Sequence, residues 1–295
     1  MSEDTRKLDF NEYAVMLPAL APDANKYSRG TVAVVGGSAA YPAAPIMAAL
    51  AAARTGAGYT RLVCPEGAGP AARAHLLSIP VTACPQDEYG AFSTASVSAA
   101  VAACSKSKVI VVGPGMGAGQ AQARFLTGFL SALATREART LVLDADALNL
   151  IARDDEMLAR VAGFPKIMTP HEGEAARLLG RKVADRLSDA RELARRFSAT
   201  VVLKGPRTLT VTPEGRAIEN ENAGPELAKA GTGDVLSGII GALAAQGSTP
   251  ADAAALGVYV HGSAGELAAA RRGAYAVLPE DIIDDIGIAL RDLGA

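Results

Sequence analysis

Tryptophan is absent from this 295-residue chain, and aromatic residues make up only 4% of it. Stacking platforms for nucleic-acid bases are therefore poorly supplied. The 29 Lys and Arg against 31 Asp and Glu give a net charge of −2, and no basic stripe gathers along the sequence. That excludes an extended nucleic-acid surface and leaves room for a small anionic ligand. Cysteine is scarce: Cys64, Cys84 and Cys104 are far apart. Such spacing makes no metal knuckle and no redox pair, and the three read as buried free thiols of a protein in a reducing cytoplasm. Apolar runs fall short of the roughly 18 residues that a membrane span needs. The polar start, Met1-Ser-Glu-Asp-Thr-Arg, lacks the apolar core of a signal peptide. Missing as well are the glycine spacings of a dinucleotide fingerprint and of a Walker loop, which disfavours a Rossmann dehydrogenase and a P-loop NTPase.

What is present is a globular balance, 49% apolar and 20% charged, with a substantial core. Residues 1–28, with Pro18 and Pro22, read as a leader segment packed on the domain, and 29–295 as a single domain. Short β-rich runs at 31–35, 60–63, 109–112, 140–143, 166–168 and 200–204 are apolar on both faces, as strands of a parallel sheet are. Helical or loop-length segments separate them, and a helix is expected from about 44 to 54. Residues 207–212 and 215–218 read as an antiparallel hairpin at the sheet edge, and 232–246, 251–271 and 280–291 as helices. The expected fold class is α/β, a three-layer α/β/α sandwich around a mostly parallel sheet.

In such a sheet ligands bind beyond the carboxyl ends of the strands, and the polar clusters stand directly after the strand runs. Gly36-Gly-Ser38, Gly113-Pro-Gly-Met-Gly117, Asp144-Ala-Asp-Ala-Leu-Asn149, Thr169-Pro-His-Glu-Gly-Glu174 and Lys204-Gly-Pro-Arg-Thr208 thus converge on one edge. A sixth cluster, Lys229-Ala-Gly-Thr-Gly-Asp234, opens an apolar helix. Its small residues let backbone amides of Gly231, Thr232 and Gly233 point outward beside a positive helix end, which makes an anion hole. A carboxylate there, Asp234, is either a helix cap or a proton acceptor. Asp144 is a candidate for holding hydrated Mg²⁺, directly or through water, whereas Asp146 is as well explained by capping its helix. His171 starts a helix at 171–179, with Glu172 and Glu174 in a first turn whose dipole favours acids. Lys204, a cation at the tip of an apolar strand, is positioned to meet a nucleotide phosphate. His75 and His261 have no such setting and read as structural.

Taken as a set, these segments resemble the NAD(P)H-hydrate dehydratase family, a branch of the ribokinase-like superfamily. Ala43-Ala-Pro45 joins the motifs quoted above, and the resemblance runs from about residue 23 to about 290. It implies a ribokinase-like fold and the ADP-dependent dehydration of the S-epimer of hydrated NADH and NADPH, with release of AMP and phosphate. It also implies Mg²⁺, a homotetramer, and an epimerase carried on a separate chain. By matching positions, Asp234 is the catalytic base; Ala44, Gly115, Gly117, His171 and Asp234 contact the hydrated cofactor. Lys204, Gly205, Pro206, Arg207, Thr208, Gly231, Thr232 and Gly233 take the nucleotide. Two departures stand out: Asn25-Lys26-Tyr27 where a His-Lys-Gly is often found, and Thr232 where alanine or serine is usual. The rival readings are a small-molecule kinase of the same superfamily, since the same base serves any hydroxyl acceptor, and a non-catalytic nucleotide sensor, which has no need of Asp234.

Overall fold

The computed structural model describes residues 5–295, so the first four residues of the expected leader lie outside it. Nine strands form one sheet: β1 (Thr31–Val35), β2 (Tyr59–Pro65), β3 (Val81–Cys84), β4 (Val109–Val112), β5 (Thr140–Leu143), β6 (Lys166–Met168), β7 (Thr200–Leu203), β8 (Thr208–Val211) and β9 (Ala217–Asn220). Their order is β3-β2-β1-β4-β5-β6-β7-β8-β9. Pairing is parallel from β3 through β7, and β8 and β9 close the edge as an antiparallel hairpin. The strands alternate strictly. Val109 and Val111 of β4 face one core, and Ile110 and Val112 face the other.

Among the described residues twelve α-helices pack around the sheet: α1 (Phe10–Met16), α2 (Ala43–Arg54), α3 (Gly69–His75), α4 (Val97–Ala103), α5 (Gln120–Ala134), α6 (Asp146–Ile151), α7 (Glu156–Ala159), α8 (Glu172–Leu179), α9 (Arg186–Phe197), α10 (Thr232–Ala245), α11 (Pro250–Arg272) and α12 (Pro279–Asp292). One face packs against α2, α10, α11 and α12; the other packs against α4 to α9, where Phe92, Phe125 and Phe129 stack in a row. This is the three-layer α/β/α arrangement with a mostly parallel sheet. Within the leader, α1 lies on α11, where Tyr13 stacks on Tyr259 at 4.2 Å between ring centroids. The strand at β3 had no clear signal in the sequence. It lies at one edge of the sheet, half-exposed along most of its length, and so has no continuous apolar run.

Two features of this frame position the site. The strand order reverses between β1 and β4, so the loops after these strands diverge and leave a crevice at the carboxyl edge. The helix α10 is drawn tightly onto α2 because Gly238 has no side chain: a Cβ there would lie 2.1 Å from the Ala48 carbonyl oxygen. That contact holds the amino end of α10 over the same edge.

Candidate active site

The loops after β1 and β4 are knitted together before any ligand is considered. The Gly37 amide donates to the Pro114 carbonyl at 2.7 Å, and the Ser38 hydroxyl to the Gly115 carbonyl at 3.0 Å. A Cβ on Gly115 would sit 3.0 Å from that of Ala44, so these two expected substrate residues are direct neighbours at the start of α2. Gly117 is tied down from the other side, its amide donating to Asp146 Oδ2 at 2.8 Å. Asp146 therefore does more than serve its own helix. It also takes Asn149 Nδ2 at 3.3 Å on its second oxygen.

Across the crevice, Lys204 ends β7 and reaches Asp144, which ends β5. Lys204 Nζ stands 3.0 Å from Asp144 Oδ1 and 3.9 Å from Glu174 Oε2. Asp144 is 1% exposed, so this is an interior ion pair and not a solvated strand end. Burial works against the Lys204 ammonium, but Asp144, Glu174 and Asp234 outweigh it and hold its pKa above the usual lysine value. The same ammonium lies close to the anion hole: a Cβ on Gly233 would be 3.2 Å from Nζ.

The amino end of α10 matches the expected anion hole only in part, because the Thr232 amide donates to the Lys229 carbonyl at 3.4 Å. Gly231 takes φ +97°, which lets the chain turn into α10, and no side chain caps the first amides of that helix. Thr232, the departure from the usual small residue, pins the turn with its single hydroxyl proton, shared between the carbonyls of Leu227 (2.8 Å) and Lys229 (2.9 Å). Lys229 in turn donates to the Tyr275 and Val277 carbonyls. Asp234 stands in the first turn. Burial, then the nearby Asp144 charge, push its carboxyl up to about 7 against the pull of Lys204. A group with that pKa exchanges a proton near neutrality, as a general base must.

Six of the eight nucleotide residues inferred from the sequence line a cavity of about 660 Å³. Lys204, Gly205, Pro206, Thr208, Thr232 and Gly233 line one side of it, and Leu227, Leu236 and Val258 supply an apolar wall. The 204–208 loop is held from behind by Arg186, whose guanidinium donates to the carbonyls of Leu203 (3.1 Å) and Arg207 (3.0 Å). Arg207 itself stands outside the cavity lining, with its guanidinium 3.8 Å from Glu221. Gly231, expected to take the nucleotide, is also outside that lining, as are Asp234, Ala44, Gly115 and Gly117.

His171 lines the cavity and is also the N-cap of α8. Its Nδ1 accepts from the Gly173 amide at 2.9 Å, while Glu174 Oε2 accepts from the His171 amide at 2.9 Å. Burial, with Lys204 and Arg177, holds its pKa below the usual histidine value, so the ring is neutral at pH 7 and Nε2 carries the proton. Two residues escaped the sequence reading. Glu174, taken as a helix-end acid, is buried and its carboxyl is pushed up to about 7 by burial and by Asp144, against the pull of Lys204. His261, taken as structural, lines the cavity from α11; burial and the Lys204 charge lower it to about 4, and its Nε2 has no hydrogen-bond partner. Neither signal exists in one dimension. Glu174 needed the knowledge that its helix starts over Lys204, and His261 that α11 passes behind the anion hole.

A family model described as NAD(P)H-hydrate dehydratase matches residues 32–287. The chain belongs to the NAD(P)H-hydrate dehydratase family. Relatives named bifunctional NAD(P)H-hydrate repair enzyme include that of Moorella thermoacetica, 37% identical over 281 residues, which are 94% of this chain and 52% of the relative. The chain thus spans about half the length of these bifunctional relatives. An ADP-dependent (S)-NAD(P)H-hydrate dehydratase of Neisseria meningitidis is 38% identical over 260 residues, covering 84% of this chain and 80% of that one. Among solved structures, the ADP/ATP-dependent NAD(P)H-hydrate dehydratase of Bacillus subtilis, co-crystallised with ATP and Mg²⁺, superposes with a TM-score of 0.80 at 24% identity. It covers 99% of this chain and 100% of the other. A ribokinase-like superfamily protein of Enterococcus faecalis gives 0.82 at 23% identity over 99% and 98% of the two chains. The fold of this family member is ribokinase-like. No helix of the described residues is long and apolar enough to cross a membrane.

Proposed function

We propose that this chain dehydrates the S-epimer of hydrated NADH and NADPH, using ADP as phosphate donor and releasing AMP and phosphate. One observation carries the reading. A half-buried carboxylate, Asp234, held near 7 by desolvation and by Asp144, stands in the first turn of α10, whose amino end has no side-chain cap, with the Lys204 ammonium acting on it and a cavity of about 660 Å³ lined by the neighbouring Thr232 and Gly233. The names of the relatives from Moorella and Neisseria support the choice of substrate.

In the reaction, ADP lies in the cavity with its terminal phosphoryl group against the amides of Gly231, Thr232 and Gly233, and Lys204, Gly205, Pro206, Arg207 and Thr208 face the AMP portion. The hydrated dinucleotide enters the crevice beside Ala44, Gly115, Gly117 and His171. Asp234 takes the proton of the ring hydroxyl while that oxygen attacks the terminal phosphorus, and AMP leaves. The anion hole and Lys204 hold the charge that spreads over the transferring oxygens. The lone pair of the ring nitrogen then expels phosphate, and loss of a proton from the adjacent carbon restores the ring double bond.

Among the described residues no cluster of three His, Cys, Asp or Glu side chains forms a cage for a metal. What is present suits a hydrated Mg²⁺ carried by the nucleotide: Asp144, Glu174 and Asp234 stand around a single ammonium, an excess of negative charge that a divalent cation offsets. Asp144 and Glu174 would hold its water shell, and the ion would supply charge neutralisation at the phosphates. We further propose that the protein is a homotetramer of the cytoplasm and works with a separate NAD(P)H-hydrate epimerase.

The test is product stoichiometry by ³¹P NMR. Incubation with hydrated NADH, ADP and Mg²⁺ yields AMP and inorganic phosphate in equal amounts; a stable phosphorylated acceptor would instead mark a kinase.

A further inference from the structure

The crevice side of the site carries a chain of hydrogen bonds that the reaction above does not use. It starts at the Gly117 amide, passes through Asp146 and Asn149, and ends on Arg177, whose Nη1 donates to Asn149 Oδ1 at 2.7 Å. Arg177 belongs to the last turn of α8, where a cation ordinarily serves the carbonyls of its helix end. It does not do so here. Its side chain runs back along the helix, so that Nη2 comes within 3.9 Å of where a Cβ on Gly173 would be, and the charge is delivered to the amino end of α8 at the ligand edge. Arg153 is tied to the residue after Gly117, its Nη1 donating to the Ala118 carbonyl at 2.5 Å.

Both guanidinium groups are exposed, and neither has a carboxylate within ion-pair distance among the described residues. That contrasts with Arg181, Arg186, Arg196, Arg271 and Arg272, each of which is ion-paired. An arginine held in place through one nitrogen by a neutral amide keeps its other donors free, in the planar fork that matches phosphate oxygens. The proposed substrate brings phosphates to this edge: two in its pyrophosphate and, in hydrated NADPH, a third on the ribose.

We propose that Arg177, fixed by Asn149 and seconded by Arg153, is the residue that reads a phosphate group of the hydrated dinucleotide. The inference rests on the dehydratase reading and deepens it. Arg177 binds the substrate through its phosphate and leaves the reacting ring to Asp234.

The experiment is steady-state kinetics of the wild type, Arg177→Ala, Arg177→Lys and Arg153→Ala on hydrated NADH and hydrated NADPH with ADP saturating, and on ADP with substrate saturating. Thermal melts check that the variants fold. The expected result for Arg177→Ala is a KM for hydrated dinucleotide raised about tenfold or more, kcat within about twofold, and an unchanged KM for ADP. Arg177→Lys recovers part of the loss, and Arg153→Ala raises KM less. An equal rise for both substrates identifies the pyrophosphate as the group read, and a rise confined to hydrated NADPH identifies the ribose phosphate. An unchanged KM for both in a folded variant overturns the inference and leaves the dehydratase reading intact. A fall in kcat alone also overturns it, by reducing Arg177 to a support for the Gly117 loop. A wild type that turns over neither hydrated dinucleotide removes the reading and the inference together.

Discussion

Lys204 and Asp144, 60 residues apart in sequence, meet at 3.0 Å across the ends of β7 and β5 and form the electrostatic hinge of the site. Asp144 is almost fully buried, so its charge is tolerated only because the ammonium is there. Lys204→Met should destabilise the fold by about 3 kcal/mol, and the double variant Lys204→Met/Asp144→Asn should recover much of that, because the buried pair is then replaced as a unit. Urea unfolding of the wild type and the two variants measures both terms. An exposed, dispensable pair would give less than about 1 kcal/mol in the single variant.

Lys204 also sets the working pH. It pulls the carboxyls of Asp234 and Glu174 down against burial, and both rest near 7. A base must be deprotonated, so kcat/KM rises with pH through about 7 and levels above it. The two groups are neighbours, and the apparent value belongs to the pair. Glu174→Gln removes a like charge from beside Asp234 and moves the acid limb to lower pH without abolishing turnover. A limb left in place in that variant would assign the titration elsewhere.

The same shift makes a stability prediction of definite sign. Between the ordinary carboxyl range and pH 7, the folded chain keeps a proton on Asp234 that the unfolded chain has released. Folding therefore becomes less favourable as pH rises from about 4 to about 7, and the penalty persists above. Asp234→Asn lacks it, and its advantage over the wild type in thermal unfolding should open by about 1–2 kcal/mol between pH 5 and pH 8. A gap that does not change with pH would contradict the shift.

Packing at the α2/α10 crossing is testable by one methyl group. With the Ala48 carbonyl oxygen 2.1 Å from a Cβ at position 238, Gly238→Ala must push the helices apart, at a cost of about 1–3 kcal/mol. Since α10 carries the anion hole, the KM for ADP should rise in step with the loss of stability. Loss of stability without any change in ADP binding would separate the crossing from the site.

The frame of the protein was legible in its sequence because parallel strands buried on both faces write continuous apolar runs. The β4 run 109–112 and the β5 run 140–143 match the observed strands residue for residue. Legibility ended where exposure breaks the pattern, as at β3. The mostly buried β9 was displaced along the chain, running from Ala217 to Asn220 where 215–218 was expected. Within the site, chain order announced each cluster but not what its members do to one another. Asp146 reads as a helix cap until the loop after β4 is seen to lie against it, and Lys204 reads as a free phosphate ligand until Asp144 is found beside it. His171 does two things at once, as its Nδ1 caps α8 while the ring faces the cavity.

The most direct measurement is recovery of the near-ultraviolet absorbance that reduced nicotinamide has and its hydrate lacks. Purified protein is mixed with hydrated NADH, Mg²⁺ and ADP, with ATP or no nucleotide in parallel and Asp234→Asn as control. The account predicts recovery with ADP, none without nucleotide, and none with the variant even though it still binds ADP. No recovery with either nucleotide, or full recovery by Asp234→Asn, would contradict it.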